Sequence, residues 1–117
     1  MIQINLDKVE SDDCLALWNA SNYNVKEHNC ADFVRWALGI EHTPGKALSE
    51  EIEDFVSESS IMSMTYGDIV FTKNFSHVGV CVGYPYVTHY TKDGLITESY
   101  IRCFGSGYVY RMDRFTE

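Results

Sequence analysis

"HVGVCVGYPYVTHY", residues 77–90, decides the architecture of this chain. Its two halves are rich in β-branched and aromatic residues, and "GYPY" between them carries turn-forming Gly83 and Pro85. The stretch therefore reads as an antiparallel hairpin. In the first half His77, Gly79 and Cys81 share one face, and Val78, Val80 and Val82 the other. Where His89 points depends on register. If Val82 pairs with Tyr86, His89 faces Gly79 and stands diagonal to His77, within reach of a side-chain hydrogen bond. If Gly83 pairs with Tyr86 instead, parity flips and His89 points to the other side. Both registers are open in the sequence. Chemistry favours the first, because a histidine base needs a third group to hold its tautomer and orientation.

Outward from the hairpin the pattern stays extended on both sides. "DIVFT" (68–72), "LITES" (95–99) and "YVYRM" (108–112) are short runs bounded by Gly, Asn or Asp, which brings the expected strands to about five. Upstream the period changes. "SDDCLALWNAS" (11–21) offers Ser11 or Asp12 as an N-cap for a short helix with Leu15 and Trp18 facing inward. Asn29 can cap the next helix, on which Cys30, Phe33, Val34, Ala37 and Leu38 fall on one face, and Gly39 ends it. A weaker third helix is expected from Ser49 through Ile52, Phe55 and Val56. Helices followed by antiparallel strands predict an α+β fold in which N-terminal helices pack on an antiparallel sheet. The face that carries Cys30 is expected to lie on that sheet, with Gly79 leaving room for the helix.

The chain has 117 residues, which suits one domain, 1–117, with a single core. A hydrophobic content of 45% against 22% charged residues predicts a packed globule. The net charge of −8, spread without a basic run, disfavours nucleic acid or an anionic membrane surface as partner. A small neutral or cationic substrate is easier to accept. No apolar run reaches the length of a membrane span, and the N-terminus lacks the basic-then-apolar pattern of a secretion signal. Synthesis in the cytoplasm without a signal peptide is the expectation. The four cysteines, Cys14, Cys30, Cys81 and Cys103, show no Cys-x-x-Cys spacing, so a zinc site of the usual spacing is not expected; the expectation is no metal and no cofactor. Cys14 and Cys103 are expected to be structural, and Cys81 core filler.

A free cysteine taken alone is more often core than nucleophile. Cys30 differs in its position. A capped helix entrance lowers a thiol's pKa, and a strand-borne imidazole can complete the pair in the fold. Of the four histidines, His28 and His42 sit in connecting segments, while His77 and His89 belong to the hairpin.

In this order "HNCADFVRWAL", "YGDIVFTKNFSHVGVCVG" and "YVTHYTKDGLITESY" resemble the NlpC-type cell-wall peptidases, a compact branch of the papain-like cysteine peptidases. The likeness covers roughly residues 22–112. It implies a papain-like NlpC-type fold with Cys30 as nucleophile, His77 as general base and His89 as the residue that orients it. It also implies hydrolysis of amide bonds in peptidoglycan stem peptides, and looks most like compact versions from phage tails. Tyr23, Asn29 and Ser76 are the substrate or oxyanion residues that the likeness suggests. Asn29 stands where most members have Asp, and Ala31-Asp32 replaces the common Ser-Gly. The implied protein acts at the cell wall, as a virion or secreted component, with other assembly proteins as partners. An antibacterial amidase toxin would share the same site, and a non-catalytic tail-assembly module would share the fold.

Overall fold

The structure, a computed structural model, describes residues 7–21 and 30–112. The architecture is α+β, built on one antiparallel sheet of six strands: β1 Val56–Ser59, β2 Ile69–Phe71, β3 Val78–Gly83, β4 Tyr86–Thr91, β5 Gly94–Ser99 and β6 Tyr108–Met112. Their order across the sheet is β1-β6-β2-β3-β4-β5. The sixth strand is β1, which corrects the expected helix from Ser49 to Val56. That segment divides into α4 (Leu48–Glu51), a 3-10 turn at Glu53–Phe55 and then β1. The reason is tertiary. β6 offers an open edge, and β1 pairs along it from Val56↔Met112 to Ser59↔Val109. "VSES" has no apolar alternation, so nothing local announces this strand.

The hairpin contains both of the registers that its sequence allows. Val80↔Thr88 and Cys81↔Val87 keep the even register in the body of the strands, while Gly83↔Tyr86 holds at the turn. A bulge between Cys81 and Gly83 takes up the difference. His89 is consequently on the face of His77. Gly79 makes room, but for a neighbouring strand and not for a helix. A Cβ there would lie 2.9 Å from His89 Cβ and 2.6 Å from Val87 Cγ1.

Each face of the sheet has its own core. Ile69, Phe71, Val78, Val80 and Met112 pack with Trp18, Phe33, Val34 and Leu48 from the helices. On the other face Val70, Cys81, Val87 and Val109 pack with Met64 and Phe104. α3 (Cys30–Leu38) lies over β3 and β4. Phe33, Val34, Ala37 and Leu38 are buried as their spacing requires, and Cys30 is half-buried at the helix's first residue. The helix ends where expected. Gly39 has φ +73°, its N–H donates to Trp36 O, and Ile40 N–H donates to Arg35 O, which is a Schellman closure.

Among the described residues, two short helices precede α3: α1 (Asp7–Glu10), which the sequence did not announce, and α2 (Cys14–Asn19). On α2 Trp18 is fully buried, with ring centroids 5.6 Å from Phe33, 5.6 Å from Trp36 and 5.8 Å from Tyr90. Leu15, expected inward, is exposed instead. With α2 only six residues long, one large ring is enough to anchor it, and Leu15, near the helix's first turn, stays exposed. α3 and α4 are joined by a buried ionic cluster. Arg35 donates to Glu51 at 2.6 Å and to Asp32 at 2.8 Å, and Glu51 also binds the His42 ring at 3.0 Å and the Thr43 N–H. No helix among the described residues is long and apolar enough to cross a membrane.

Candidate active site

The chain enters β3 through a braced loop. Asn74 Oδ1 accepts from the Ser76 N–H at 3.1 Å and from the Ser76 hydroxyl at 2.6 Å. Thr72 Oγ1 accepts from the His77 N–H at 3.1 Å, and Thr72 N–H returns a bond to His77 O at 3.0 Å. Phe75 takes a left-handed φ of 59° without being glycine, and its ring stacks on Tyr108 with centroids 5.0 Å apart. Such a backbone costs on the order of 1–3 kcal/mol and persists where its surroundings over-determine it. The loop thus holds His77 directly at the start of β3.

His77 Nε2 lies 2.6 Å from His89 Nδ1, and His89 Nε2 lies 2.7 Å from Glu98 Oε2. Proton positions follow from what each group can do. A carboxylate only accepts, so neutral His89 carries its hydrogen on Nε2 and accepts at Nδ1. His77 must then donate from Nε2, which leaves its Nδ1 bare and basic. Burial, and then the neighbouring His89, hold His77 below the ordinary imidazole value, so near neutrality it is ready to take a proton.

Phe104 fixes both rings. It is buried, lies near-parallel to His77 with centroids 5.5 Å apart, and meets His89 edge-on at 5.3 Å. It follows the 3-10 turn Tyr100–Arg102, whose Tyr100 carbonyl accepts from the Phe104 N–H at 2.7 Å.

Cys30 and His77 line one cavity of about 430 Å³, together with Ala31, Phe75 and Ser76. The thiol comes to it from the first turn of α3, where backbone N–H groups lack intrahelical acceptors. Ser76 reaches the cavity too, with its hydroxyl committed to Asn74. Tyr23 and Asn29, and with Asn29 the expected helix cap, lie outside the described residues. His42 is bound to Glu51 and takes no part in the histidine chain.

Three residues here escaped the sequence reading. Glu98 could have been found by the parity used for His89. "TKDG" makes a tight turn with Thr91↔Gly94, so His89 opposes Ile96 and Glu98 stands diagonal to His89 on the same face. Phe104 carries no local signal. Cys103, expected to be structural, is exposed and belongs to no core. Its Sγ and one ring nitrogen each of His77 and His89 lie within 4.8 Å of one another, the one such grouping among the described residues that could hold a metal ion. Partial desolvation of the sulfur, followed by the charges of Glu98 and Cys30, pushes the Cys103 thiol up. Cys81 is fully buried core, as expected. The exposed Tyr84 and Tyr86 sit at the opposite end of β3 from His77 and do not line the cavity.

Comparison with protein-family models gives no match, and no curated protein matches the chain.

Proposed function

We propose that the chain is a cysteine hydrolase of amide bonds on a papain-like NlpC-type fold, acting on the stem peptides of peptidoglycan. The observation that carries this reading is the ordered run Glu98–His89–His77, whose last residue lines the same cavity as Cys30. A surface histidine has no need of a buried imidazole partner that is itself held by a carboxylate. A base that must keep one tautomer through a reaction cycle does.

In the proposed mechanism His77 Nδ1 takes the proton of Cys30 Sγ, and the thiolate attacks the amide carbonyl carbon. The backbone N–H of Cys30 is the natural donor to the oxyanion. The C–N bond breaks as His77 returns the proton to the leaving amine. His77 then takes a proton from water as its oxygen bonds to the thioester carbon; the C–S bond breaks, the carboxyl product leaves, and the proton held by His77 returns to Cys30 Sγ. His89 and Glu98 balance the charge that His77 gains. Cys103 is the other thiol near the pair, but it follows a short 3-10 turn, and its surroundings oppose ionisation. Cys30 therefore takes the nucleophile's role.

The test is mass spectrometry of purified wall fragments digested with wild type and with Cys30→Ala. New amine and carboxyl ends are expected with wild type alone, and identical products from both would end the enzyme reading. Alkylation adds a second measurement: Cys30 should react faster than the other three cysteines, and His77→Ala should remove that difference.

A further inference from the structure

We propose that His77, His89 and Cys103 form a binding site for a soft divalent cation, zinc above all, and that its occupancy switches the hydrolase off. The switching clause rests on the hydrolase reading above, whereas the binding does not.

The donor set is the first ground. Imidazole nitrogen and thiolate sulfur are zinc's preferred ligands, at about 2.0–2.1 Å and 2.3 Å. Ligands of a tetrahedral ion with those bond lengths stand about 3.3–3.8 Å apart. The three donor atoms already lie within 4.8 Å of one another, so modest ring and thiol rotations suffice. His89 Nε2 is taken by Glu98, which assigns its Nδ1 as the ligating atom. A carboxylate behind a ligating histidine is the outer arrangement that metal sites use to orient the ring and raise its basicity. Glu98 is built in already. Phe104 holds both rings from behind.

Cys103 is the second ground. The mechanism does not use it, and packing does not explain it, because it is exposed. An open position at the rim gives an ion a route in and leaves room for a fourth ligand from solvent. On binding, the thiol gives its proton to the medium and the hydrogen bond between the two rings breaks. The ion then takes the lone pair or the orientation that His77 needs as a base.

The experiment uses the tag-free chain, stripped with a chelator and titrated with Co²⁺ and with Zn²⁺. One equivalent of Co²⁺ should bind and give a thiolate-to-cobalt charge-transfer absorption in the near ultraviolet. Cys103→Ser should abolish that band and weaken Zn²⁺ binding at least tenfold. In the unmodified chain one equivalent of Zn²⁺ should slow alkylation of Cys103 at least tenfold, with the labelled residue located by peptide mapping. Failure of stoichiometric binding, a band that survives Cys103→Ser, or equal alkylation with and without Zn²⁺ would overturn the site. Hydrolysis is scored separately: Cys103→Ser should retain the metal-free rate and lose inhibition by Zn²⁺. A cobalt band without hydrolysis removes only the enzyme reading, and hydrolysis without a band removes only the metal site.

Discussion

Glu98 decides which nitrogen of His77 is basic, although it lies two residues further along the hydrogen-bond chain. Glu98→Gln tests this sharply. A glutamine that presents its N–H₂ to His89 reverses both tautomers and leaves the hydrogen on the His77 nitrogen that should accept. The expected outcome is a fall in kcat on the order of 10²-fold with KM little changed, within what general-base catalysis contributes. An unchanged kcat would remove Glu98 from the site. Phe104 supports the same pair by packing. Phe104→Ala should cost about 3–5 kcal/mol in urea denaturation, as for other buried aromatic truncations, and kcat should fall along with stability.

At the scale of elements, the β3–β4 hairpin converts a glycine into histidine geometry. Gly79 lets β4 bring His89 close, and a side chain there would meet Val87, His89 and the Thr88 carbonyl. Gly79→Ala is expected to destabilise the fold by about 1–3 kcal/mol as an overpacked site. Its activity should fall further than the folded fraction accounts for, because His89 must move. The measurement is kcat corrected for folded protein from a chemical melt, and parallel losses would leave the glycine a purely structural role. Parity along the hairpin was legible in the sequence down to the choice between two registers. The bulge was not, since one unpaired residue in "VCVG" costs nothing that composition reveals. β1 was illegible for the converse reason: its partner β6 lies fifty or more residues along the chain, and three of its four residues are polar.

Across the whole molecule, the helical layer is tied together by Arg35, buried among Asp32 and Glu51. Arg35→Ala should cost about 3–5 kcal/mol, since it leaves buried carboxylate uncompensated. Burial opposes the charge on Glu51, but bonds from Thr43, Arg35 and His42, and the charge of Arg35, outweigh it and hold the carboxyl below its ordinary value. A carboxyl lowered in the folded state stabilises fully above its unfolded pKa, about 4.3 for glutamate, and loses that contribution as pH falls through the folded value. Wild type should therefore exceed Glu51→Gln in stability at neutral pH, with the gap closing below about pH 4. Equilibrium melts at a series of pH values check this, and a gap independent of pH would refute it.

Periodicity and turn chemistry by themselves determined α3, its glycine stop, the α+β order and five of the six strands, because each depends on residues within one or two turns of chain. They also determined the candidacy of Cys30, His77 and His89, since position and parity are local properties. Glu98 behind His89 follows from the same local parity, whereas only the tertiary structure decided that Phe104 clasps both rings, that Cys103 joins them and that Leu15 faces outward. Those relations are set by contacts between segments far apart in the chain, where closure and packing choose the neighbour and no short run of residues encodes the choice.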